Sequence, residues 1–224
     1  MAEQAPETRD VRRLMVRNQL VARGIRARRV LAAMAWAPRE WFLPPPHRAA
    51  AYDDRPLPIG SGQTISQPYV VAWMTAHLAP DRHARVLEVG TGSGYQTAVL
   101  ARLVARVYTT ERLPDLLVEA EDRFRRLRLT TIETRLGDGA TGWPEHAPFD
   151  GIMVTAAAPA VPGPLVDQLA VGGRLVIPVG DTTEQDLVIV SRGTGGRLEE
   201  RRVGGVRFVP LISRLAFRDE PGVP

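Results

Sequence analysis

The sequence has no cysteine and no lysine in its 224 residues. Without cysteine there can be no disulfide bond, no thiolate zinc site and no cysteine nucleophile, and this composition fits a reducing cytoplasm. Without lysine, the phosphate-binding loop of the type G-x-x-x-x-G-K-[ST] is excluded, because its lysine contacts the nucleotide phosphates. All 29 basic residues are therefore arginines, and the formal net charge at pH 7 is +4.

Long apolar runs and aromatic clusters are absent as well. No run of about 18 apolar residues occurs, so we expect no membrane-spanning helix. The polar and acidic stretch Met1–Asp10 predicts no secretory signal. The arginines are scattered along the chain and are not grouped with the aromatic residues, which make up 6% of it. We therefore expect a cytoplasmic protein that binds neither nucleic acid nor membranes.

The stretch Val86–Glu111, VLEVGTGSGYQTAVLARLVARVYTTE, has the pattern of a nucleotide-binding α/β unit. An apolar run, short enough for a buried strand, leads into a loop with glycine at every second position, at Gly90, Gly92 and Gly94. Apolar residues at helical spacing follow from Ala98, and a second candidate strand ends at Glu111. The apolar content of 44% is enough for one domain of ordinary size built around this unit.

The spacing within this unit predicts its ligand. Glycines let the backbone approach a ligand closely, and an acid about 20 residues after the first glycine can accept both hydroxyls of a ribose. Glu111 stands at that spacing, but Tyr95 replaces the third glycine of the dinucleotide pattern G-x-G-x-x-G. A ribose site without a pyrophosphate cradle points to S-adenosylmethionine. Glu88–Gly94 looks like motif I of the methyltransferases that use this cofactor.

The N-terminal part, about residues 9–55, is predicted to be helical. Apolar residues near helical spacing predict one helix over Asp10–Arg23 and a second around Val30–Ala35, stopped by Pro38. Pro44-Pro45-Pro46 predicts an extended, non-helical segment. We interpret this part mainly as packing against the domain, with a peptide-binding role for some of it as the alternative.

The stretch Pro56–Tyr69, PLPIGSGQTISQPY, predicts an ordered loop laid across the domain. Its many turn-forming residues oppose a helix, while Leu57 and Ile59 favour burial. Pro68 predicts the first turn of a helix. From its position two residues earlier, Ser66 is most simply interpreted as the N-cap of that helix.

The second half of the chain predicts the remaining strands of an α/β sheet. Gly137-Asp138-Gly139 follows the first of these strands, Thr130–Leu136, and ends it. Asp138 fits either an acid that binds adenine or a plain Asp-Gly turn. The loop Ala156–Pro164 follows a strand and should line the site, and a helix from Pro164 is predicted to end at Gly172-Gly173. The predicted strands are Thr130–Leu136, Phe149–Thr155, Arg174–Pro178, Leu187–Ser191 and Val203–Leu211, with a further helix over Leu113–Leu127.

Several stretches of the sequence resemble one family, the bacterial form of protein-L-isoaspartate O-methyltransferase. The specific pieces are GQTISQP, within Leu57–Thr75, and VRFVPL at Val206–Leu211, whereas the glycine motif is shared by many methyltransferases. The resemblance implies a seven-stranded Rossmann-like α/β/α methyltransferase sandwich with extra N-terminal helices, formed by the chain as a single domain. The other matching stretches are APREWF (Ala37–Phe42), RVLEVGTGSGYQTAVLA (Arg85–Ala101), GDG (Gly137–Gly139), PFDGIMVTAA (Pro148–Ala157) and GGRLVIPVG (Gly172–Gly180).

The resemblance also implies the roles of individual residues. Ser66 would be the active-site residue, Glu111 would meet the ribose, and Asp138 would meet the adenine. VRFVPL would close over the bound peptide, while the tail, about residues 214–224, lies beyond the matching stretches and receives no role. The implied cofactor-binding residues are Gln63, Thr64, Ile65, Ser66, Glu88, Gly90, Gly92, Ser93, Glu111, Asp138 and Gly139, and the implied substrate-binding residues are Ser66, Val209, Pro210 and Leu211, with no metal.

The implied reaction is the methylation, by S-adenosylmethionine, of the free α-carboxylate of L-isoaspartyl residues in damaged peptides and proteins, which leads to repair through a succinimide. A carboxylate with a pKa of about 4 is already ionised at pH 7, so the reaction needs no general base. We expect a monomer. The alternatives are a relative that methylates a specific aspartate of a modified peptide, a cofactor-binding protein without catalysis, and an RNA methyltransferase. The last is disfavoured because TAAAP at Thr155–Pro159 stands in place of the N/D-P-P-[YF] motif.

Overall fold

The computed structural model of the protein describes residues 6–218. The start of the polar stretch Met1–Asp10 and the last six residues of the tail lie outside this range. In the described part of the chain, no helix is long and apolar enough to cross a bilayer.

The strands form one large sheet and one small one. Their bounds are β1 Leu57–Gly60, β2 Gln63–Ile65, β3 Arg85–Val89, β4 Arg106–Glu111, β5 Ile132–Leu136, β6 Phe149–Val154, β7 Leu169–Gly180, β8 Gln185–Arg192 and β9 Leu198–Val206. The large sheet has seven strands in the order β5-β4-β3-β6-β7-β8-β9. Its first five members pair in parallel, whereas β8 is antiparallel to both of its neighbours. β1 and β2 form a separate antiparallel hairpin.

Helices cover both faces of the large sheet. Their bounds are α1 Pro6–Met15, α2 Arg28–Trp36, α3 Pro68–Leu78, α4 Tyr95–Ala101, α5 Pro114–Arg126 and α6 Gly163–Asp167. α1 continues as a π-helix over Val16–Val21, and short 3-10 turns occur at Arg39–Phe42, Pro45–Ala50, Gly139–Thr141, Pro144–His146 and Thr194–Gly196.

The alternation of side chains along the strands divides the core into two layers. In β3, Val86 packs in one cluster, with Met34 of α2 and Leu100 of α4. The next residue, Leu87, packs on the opposite face, with Leu165 of α6. Because both faces of the central strands β3 and β6 are covered, most residues of these two strands are apolar. This arrangement confirms the predicted seven-stranded α/β/α fold class.

Two predicted segments before the large sheet are more regular than expected. The proline run was predicted to be extended, but only Pro44 is, and Pro45 starts a 3-10 turn because proline fits the first position of a helix. The stretch predicted as an ordered loop forms the β1–β2 hairpin, with Leu57 opposite Ile65. The sequence does not predict this hairpin because each of its strands has too few residues to show the alternating pattern of a strand.

Two predicted boundaries near the C-terminal end of the sheet are wrong. The helix predicted from Pro164 ends at Asp167, and Gly172-Gly173 lies inside β7, where the register with β6 shifts. The last strand is β9, Leu198–Val206, and not Val203–Leu211. β9 is an edge strand with a charged sequence, so it lacks the alternating apolar pattern that predicts a strand. The apolar residues after Val206 instead leave the sheet.

Candidate active site

The topology of the large sheet places a cleft at the carboxyl ends of its central strands. The chain passes from β3 to β4 on one side, while β6 pairs with β3 on the other. The loops after β3 and β6 therefore lead to helices on opposite faces of the sheet, α4 and α6, and such a switch point is where α/β sheets bind ligands. A cavity lies there, lined by the glycine loop after β3, the end of β4 and the β1–β2 hairpin.

The glycine loop after β3 forms the floor of this cavity. Gly90 has a φ of +93°, and a Cβ atom on it would lie 2.4 Å from Thr155 Oγ1. Thr155 uses that hydroxyl to donate to the carbonyl oxygen of Gly90, at 2.6 Å. Glycine is therefore required at position 90, both for the backbone conformation and for the close approach of the loop after β6.

Glu111, at the end of β4, is buried and faces the same loop. Its Oε2 accepts the N–H of Gly92 at 2.8 Å, and its Oε1 accepts the N–H groups of Arg112 and Leu113 at 2.8 and 3.0 Å. A carboxylate has about four acceptor positions, so these three bonds leave one for a ligand hydroxyl. Glu111 thus fixes the loop and still lines the cavity.

The structure does not bring Glu88 to the cavity wall. Its carboxyl group is fully buried beneath the glycine loop, where Oε2 accepts the hydroxyls of Thr97 and Thr109 at 2.5 and 2.7 Å. Burial raises the pKa of Glu88 to about 8, although these two hydrogen bonds act in the opposite direction. Any effect of Glu88 on a ligand must pass through the loop above it.

Asp138 also lies beside the cavity and not in its wall. Its Oδ1 accepts the N–H of Ala140 at 2.9 Å, which is the turn that the Asp-Gly sequence predicts. Its Oδ2 accepts the hydroxyl of Ser213, a residue close to the C-terminal end of the described chain, at 2.7 Å. Gly139 does line the cavity, and a Cβ atom there would lie 2.4 Å from Val89 Cγ1.

The β1–β2 hairpin forms the wall opposite the glycine loop. Gln63, Thr64 and Ile65 face the cavity, and Ser66 follows them directly. Ser66 is not the cap of α3: the N-cap residue is Gln67, and no side chain caps this helix end. The Ser66 hydroxyl makes no hydrogen bond to any residue in the described range, and Ser66 also lines a second cavity, together with residues of α3, β8 and the end of β9.

A short stretch after β9, the crossing segment Arg207–Ile212, separates the two cavities. The backbone of Ala157 holds it across the end of β6, by donating to Val209 and accepting from Leu211 at 2.8 and 2.7 Å. Phe208 lines both cavities, whereas Val209, Pro210 and Leu211 line the first. The predicted substrate residues therefore face the predicted cofactor loop.

Sequence reasoning missed several residues of the cavity wall. Tyr95 was noticed only as the residue that replaces a glycine, and Thr155 and Phe208 only as parts of longer motifs. The available signals were the position of Tyr95 next to Gly94, of Thr155 directly after β6, and of Phe208 directly before Val209. The predicted residues that line the cavity are Gln63, Thr64, Ile65, Ser66, Gly90, Gly92, Ser93, Glu111, Gly139, Val209, Pro210 and Leu211, and the loop predicted to line it contributes Ala156.

Comparison with known proteins assigns the chain to a family. The model of the protein-L-isoaspartate(D-aspartate) O-methyltransferase family matches residues 11–216. The chain belongs to this family. A protein-L-isoaspartate O-methyltransferase from Methanoculleus marisnigri is 54% identical over 97% of this chain and 98% of its own. One from Methanoregula boonei is 53% identical over 94% of this chain and 96% of its own.

Solved structures of the family share the fold. A protein-L-isoaspartate O-methyltransferase has a TM-score of 0.81, with 27% sequence identity over 92% of this chain and 67% of its own. A family member from Plasmodium falciparum, solved in complex with S-adenosyl-L-homocysteine, has a TM-score of 0.79 with 27% identity, over 90% of this chain and 98% of its own. The expected family, fold and class of enzyme are confirmed.

The residues around the cavity fit the methyl donor of this family, S-adenosylmethionine. The glycines at positions 90 and 92 let the loop backbone form part of the floor, and the Glu111 carboxylate can accept a ribose hydroxyl. Met74 and Leu113 add apolar surface to the wall. The pyrophosphate cradle of dinucleotide sites is missing, since Tyr95 follows Gly94 and α4 starts at once.

Proposed function

We propose that this chain transfers the methyl group of S-adenosylmethionine to the free α-carboxylate of L-isoaspartyl residues in damaged peptides and proteins. The methyl ester then closes to a succinimide, and hydrolysis returns part of the residues to normal aspartate. The observation that carries the proposal is the position of Ser66, which lines the cofactor cavity and the second cavity at once. A side chain at this junction can contact a peptide while it lies beside the methyl donor.

The proposed cofactor-binding residues that line the first cavity surround it from three sides. Gly90, Gly92 and Ser93 would support the cofactor from below, and the hairpin residues Gln63–Ser66 would cover it. Glu111 would accept a ribose hydroxyl. At the far end, Asp138 and Gly139 would meet the adenine, and Glu88 would act from beneath the loop. When bound, S-adenosylmethionine supplies an electrophilic methyl group on a sulfonium sulfur.

Ser66 would orient the substrate carboxylate. A serine hydroxyl can donate one hydrogen bond, so it can fix one carboxylate oxygen and leave the other free to attack. The Ser66 hydroxyl is suited to this role because it makes no hydrogen bond to any described residue and can therefore bind the substrate. The crossing segment would help by excluding water from the carboxylate, with Val209, Pro210 and Leu211 against the substrate.

The proposed reaction needs no general base. The substrate carboxylate is ionised at neutral pH, and the chain's task is to position it and remove its water. None of the four histidines of the sequence lines the first cavity. The composition of that wall therefore agrees with a reaction in which no proton is removed from the nucleophile.

The remaining parts of the proposal concern the whole protein. The chain would work as one methyltransferase domain and as a monomer in the cytoplasm, with isoaspartyl peptides and proteins as its partners and with neither nucleic acid nor membranes. The absence of cysteine and the scattered arginines support this setting. The N-terminal segment, about residues 9–55, and the tail, about residues 214–224, would be additions to the domain.

The substitution Ser66→Ala tests the proposal. We expect kcat for an isoaspartyl peptide to fall about ten- to a hundredfold, since a hydrogen bond to a charged group is lost. Calorimetry should show an unchanged Kd for S-adenosylhomocysteine, and the melting temperature should stay near that of the wild type. Ser61→Ala, an exposed serine in the turn of the same hairpin, is the matched control and should keep full turnover.

Two results would contradict the proposal. If the wild-type protein binds S-adenosylhomocysteine but methylates no isoaspartyl peptide, the proposed substrate is wrong. If Ser66→Ala retains wild-type turnover, the proposed role of Ser66 is wrong although the reaction stands.

A further inference from the structure

The stretch APREWF, Ala37–Phe42, does more than pack the N-terminal segment, because two of its side chains contact a residue that lines the cofactor cavity. The ring of Phe42 lies edge-on to the ring of Tyr95, with 5.4 Å between their centroids. The guanidinium of the fully buried Arg39 lies over the same ring, 4.9 Å from its centroid. Tyr95 is the first residue of α4 and lines the cofactor cavity, so the N-terminal segment reaches the residue that ends the glycine loop.

A single side chain from α5 makes a second connection between the same two parts. Arg123 donates from Nε to the carbonyl oxygen of Trp41, at 3.2 Å, and from Nη1 to the carbonyl oxygen of Ser93, at 3.1 Å. Its Nη2 forms an ion pair with Glu119, one helical turn away, at 2.8 Å. The side chain is 14% exposed. Its donors therefore join the N-terminal segment, the glycine loop and the surface of α5.

The contact with Ser93 is one of three in which a side chain from another element binds a backbone group of the glycine loop. Thr155 binds the carbonyl oxygen of Gly90 from the loop after β6, and Glu111 binds the N–H of Gly92 from the end of β4. Arg123 binds the carbonyl oxygen of Ser93 from α5. Thr155 and Glu111 themselves line the cavity, whereas Arg123 lies behind the loop and does not.

We propose that Arg123 is a positioning residue for the cofactor, which fixes Ser93 and ties the glycine loop to the N-terminal segment through Trp41. This inference rests on the proposed function, since it takes the glycine loop as the cofactor loop. The planar guanidinium can serve two carbonyl groups from a fixed geometry. A lysine at position 123 has a single ammonium group on a flexible stem and cannot reproduce both contacts.

The test compares Arg123→Met and Arg123→Lys with a matched control on the same helix. Arg126→Met is that control, because the Arg126 side chain is 70% exposed and forms an ion pair only with Asp122 among the described residues. We expect Arg123→Met to raise the Kd for S-adenosylhomocysteine, measured by calorimetry, about tenfold. Arg123→Lys should give an intermediate Kd, and Arg126→Met should match the wild type.

A second readout separates positioning from general stability. At saturating cofactor, the KM for an isoaspartyl peptide should stay within about twofold of the wild-type value in all three variants, because Arg123 contacts neither the hairpin nor the crossing segment. Unfolding in urea without cofactor shows whether each variant is folded. If Arg123→Met does not fold, Arg123→Lys, which keeps the charge and the aliphatic stem, carries the test.

The possible failures are distinguishable. If the wild-type protein does not bind S-adenosylhomocysteine, the proposed function fails. If the wild type binds and the folded Arg123 variants bind equally well, the inference on Arg123 is overturned and the proposed function stands. If the Kd, the peptide KM and the unfolding midpoint all change together, Arg123 has only a structural role, which also overturns the inference.

Discussion

The carboxyl group of Glu88 lies in surroundings that oppose its ionisation. It is fully buried, and Oε1 has no hydrogen-bond partner among the described residues. Burial is the largest influence on its pKa, and the nearby Glu111 raises the pKa further. The hydroxyls of Thr97 and Thr109 lower it, but the net result is a pKa of about 8. Glu88 is therefore largely protonated in the folded protein at neutral pH.

This shift predicts how stability depends on pH. The pKa of Glu88 rises from an ordinary value of 4.5 to about 8 on folding, so between these values the folded state binds more protons than the unfolded state. The free energy of unfolding should therefore fall as the pH rises from about 4.5 to about 8, and change no further above it. Glu88→Gln should remove this component, which urea unfolding at pH 5 and pH 9 can measure.

The exposed acid Glu119 offers the control for that experiment. Glu119→Gln removes a carboxyl group whose side chain is 54% exposed, and it shows what the loss of a carboxyl group from the surface of α5 alone does to the unfolding curves. An equal pH dependence in the wild type and in Glu88→Gln would show that Glu88 is ionised in the fold at neutral pH.

The burial of Glu88 could have been predicted from its strand. Side chains in β3 alternate between the faces of the sheet, and Glu88 is on the side of Val86, which packs beneath α4. The motif predicts an acid in the cofactor loop, but the strand periodicity directs its side chain into the helix layer. No pattern in the sequence indicates the two threonines that meet it, because Thr109 is 21 residues away.

Among the structural elements, the crossing segment depends on one side chain from β8. Gln185 is buried, and its Oε1 accepts the N–H of Phe208 at 2.7 Å. Its Nε2 donates to the carbonyl oxygens of Asp181 and Phe208, at 3.0 and 3.3 Å. The Gln185 amide thus serves Phe208 as a neighbouring strand would, at the point where the chain leaves β9.

Removing this amide should loosen the crossing segment. In Gln185→Ala the backbone groups of Phe208 lose their partner, which should lower the free energy of unfolding by about 1–3 kcal/mol. The KM for an isoaspartyl peptide should rise more than the Kd for S-adenosylhomocysteine, because Phe208 lies between the two cavities. Steady-state kinetics and calorimetry measure the two effects.

Gln185→Glu provides the comparison for Gln185→Ala. It keeps the acceptor for the Phe208 N–H, but it loses the donor and places a carboxyl group against the carbonyl oxygens of Asp181 and Phe208, so its peptide KM should also exceed that of the wild type. A peptide KM that is unchanged in Gln185→Ala would show that the segment is held without this residue.

The same elements show why some boundaries could be predicted and others could not. The strands around the glycine loop are buried on both faces, so their apolar runs identify them directly. The crossing segment has a similar apolar sequence but packs against Ala157, and so it was mistaken for the last strand. Whether an apolar stretch continues a sheet or leaves it depends on tertiary contacts that a local pattern does not contain.

At the scale of the whole molecule, the sequence predicts the site better than it predicts what holds the site together. The loop, the terminal acid and Ser66 belong to recognisable motifs, and the fold brings them to one cavity. The supporting contacts join distant parts of the chain: Arg123 reaches Trp41 across 82 residues, and Ser213 reaches Asp138 across 75. Residue spacing gives no information on contacts of this kind.

Two cavities that meet at Ser66 and Phe208 are the central feature of this account. One is suited to the methyl donor, and the other opens to solvent beside it, where a peptide can enter. The substrate must therefore present a free carboxylate from a peptide chain at this junction.

The most direct test of that claim is methyl transfer from labelled S-adenosylmethionine to two peptides that differ only in having an L-isoaspartyl or a normal L-aspartyl residue at one position. We predict that only the isoaspartyl peptide is labelled, and that the label is released as methanol at neutral pH when the succinimide closes. Equal labelling of both peptides, or labelling of neither by protein that binds S-adenosylhomocysteine, would contradict it.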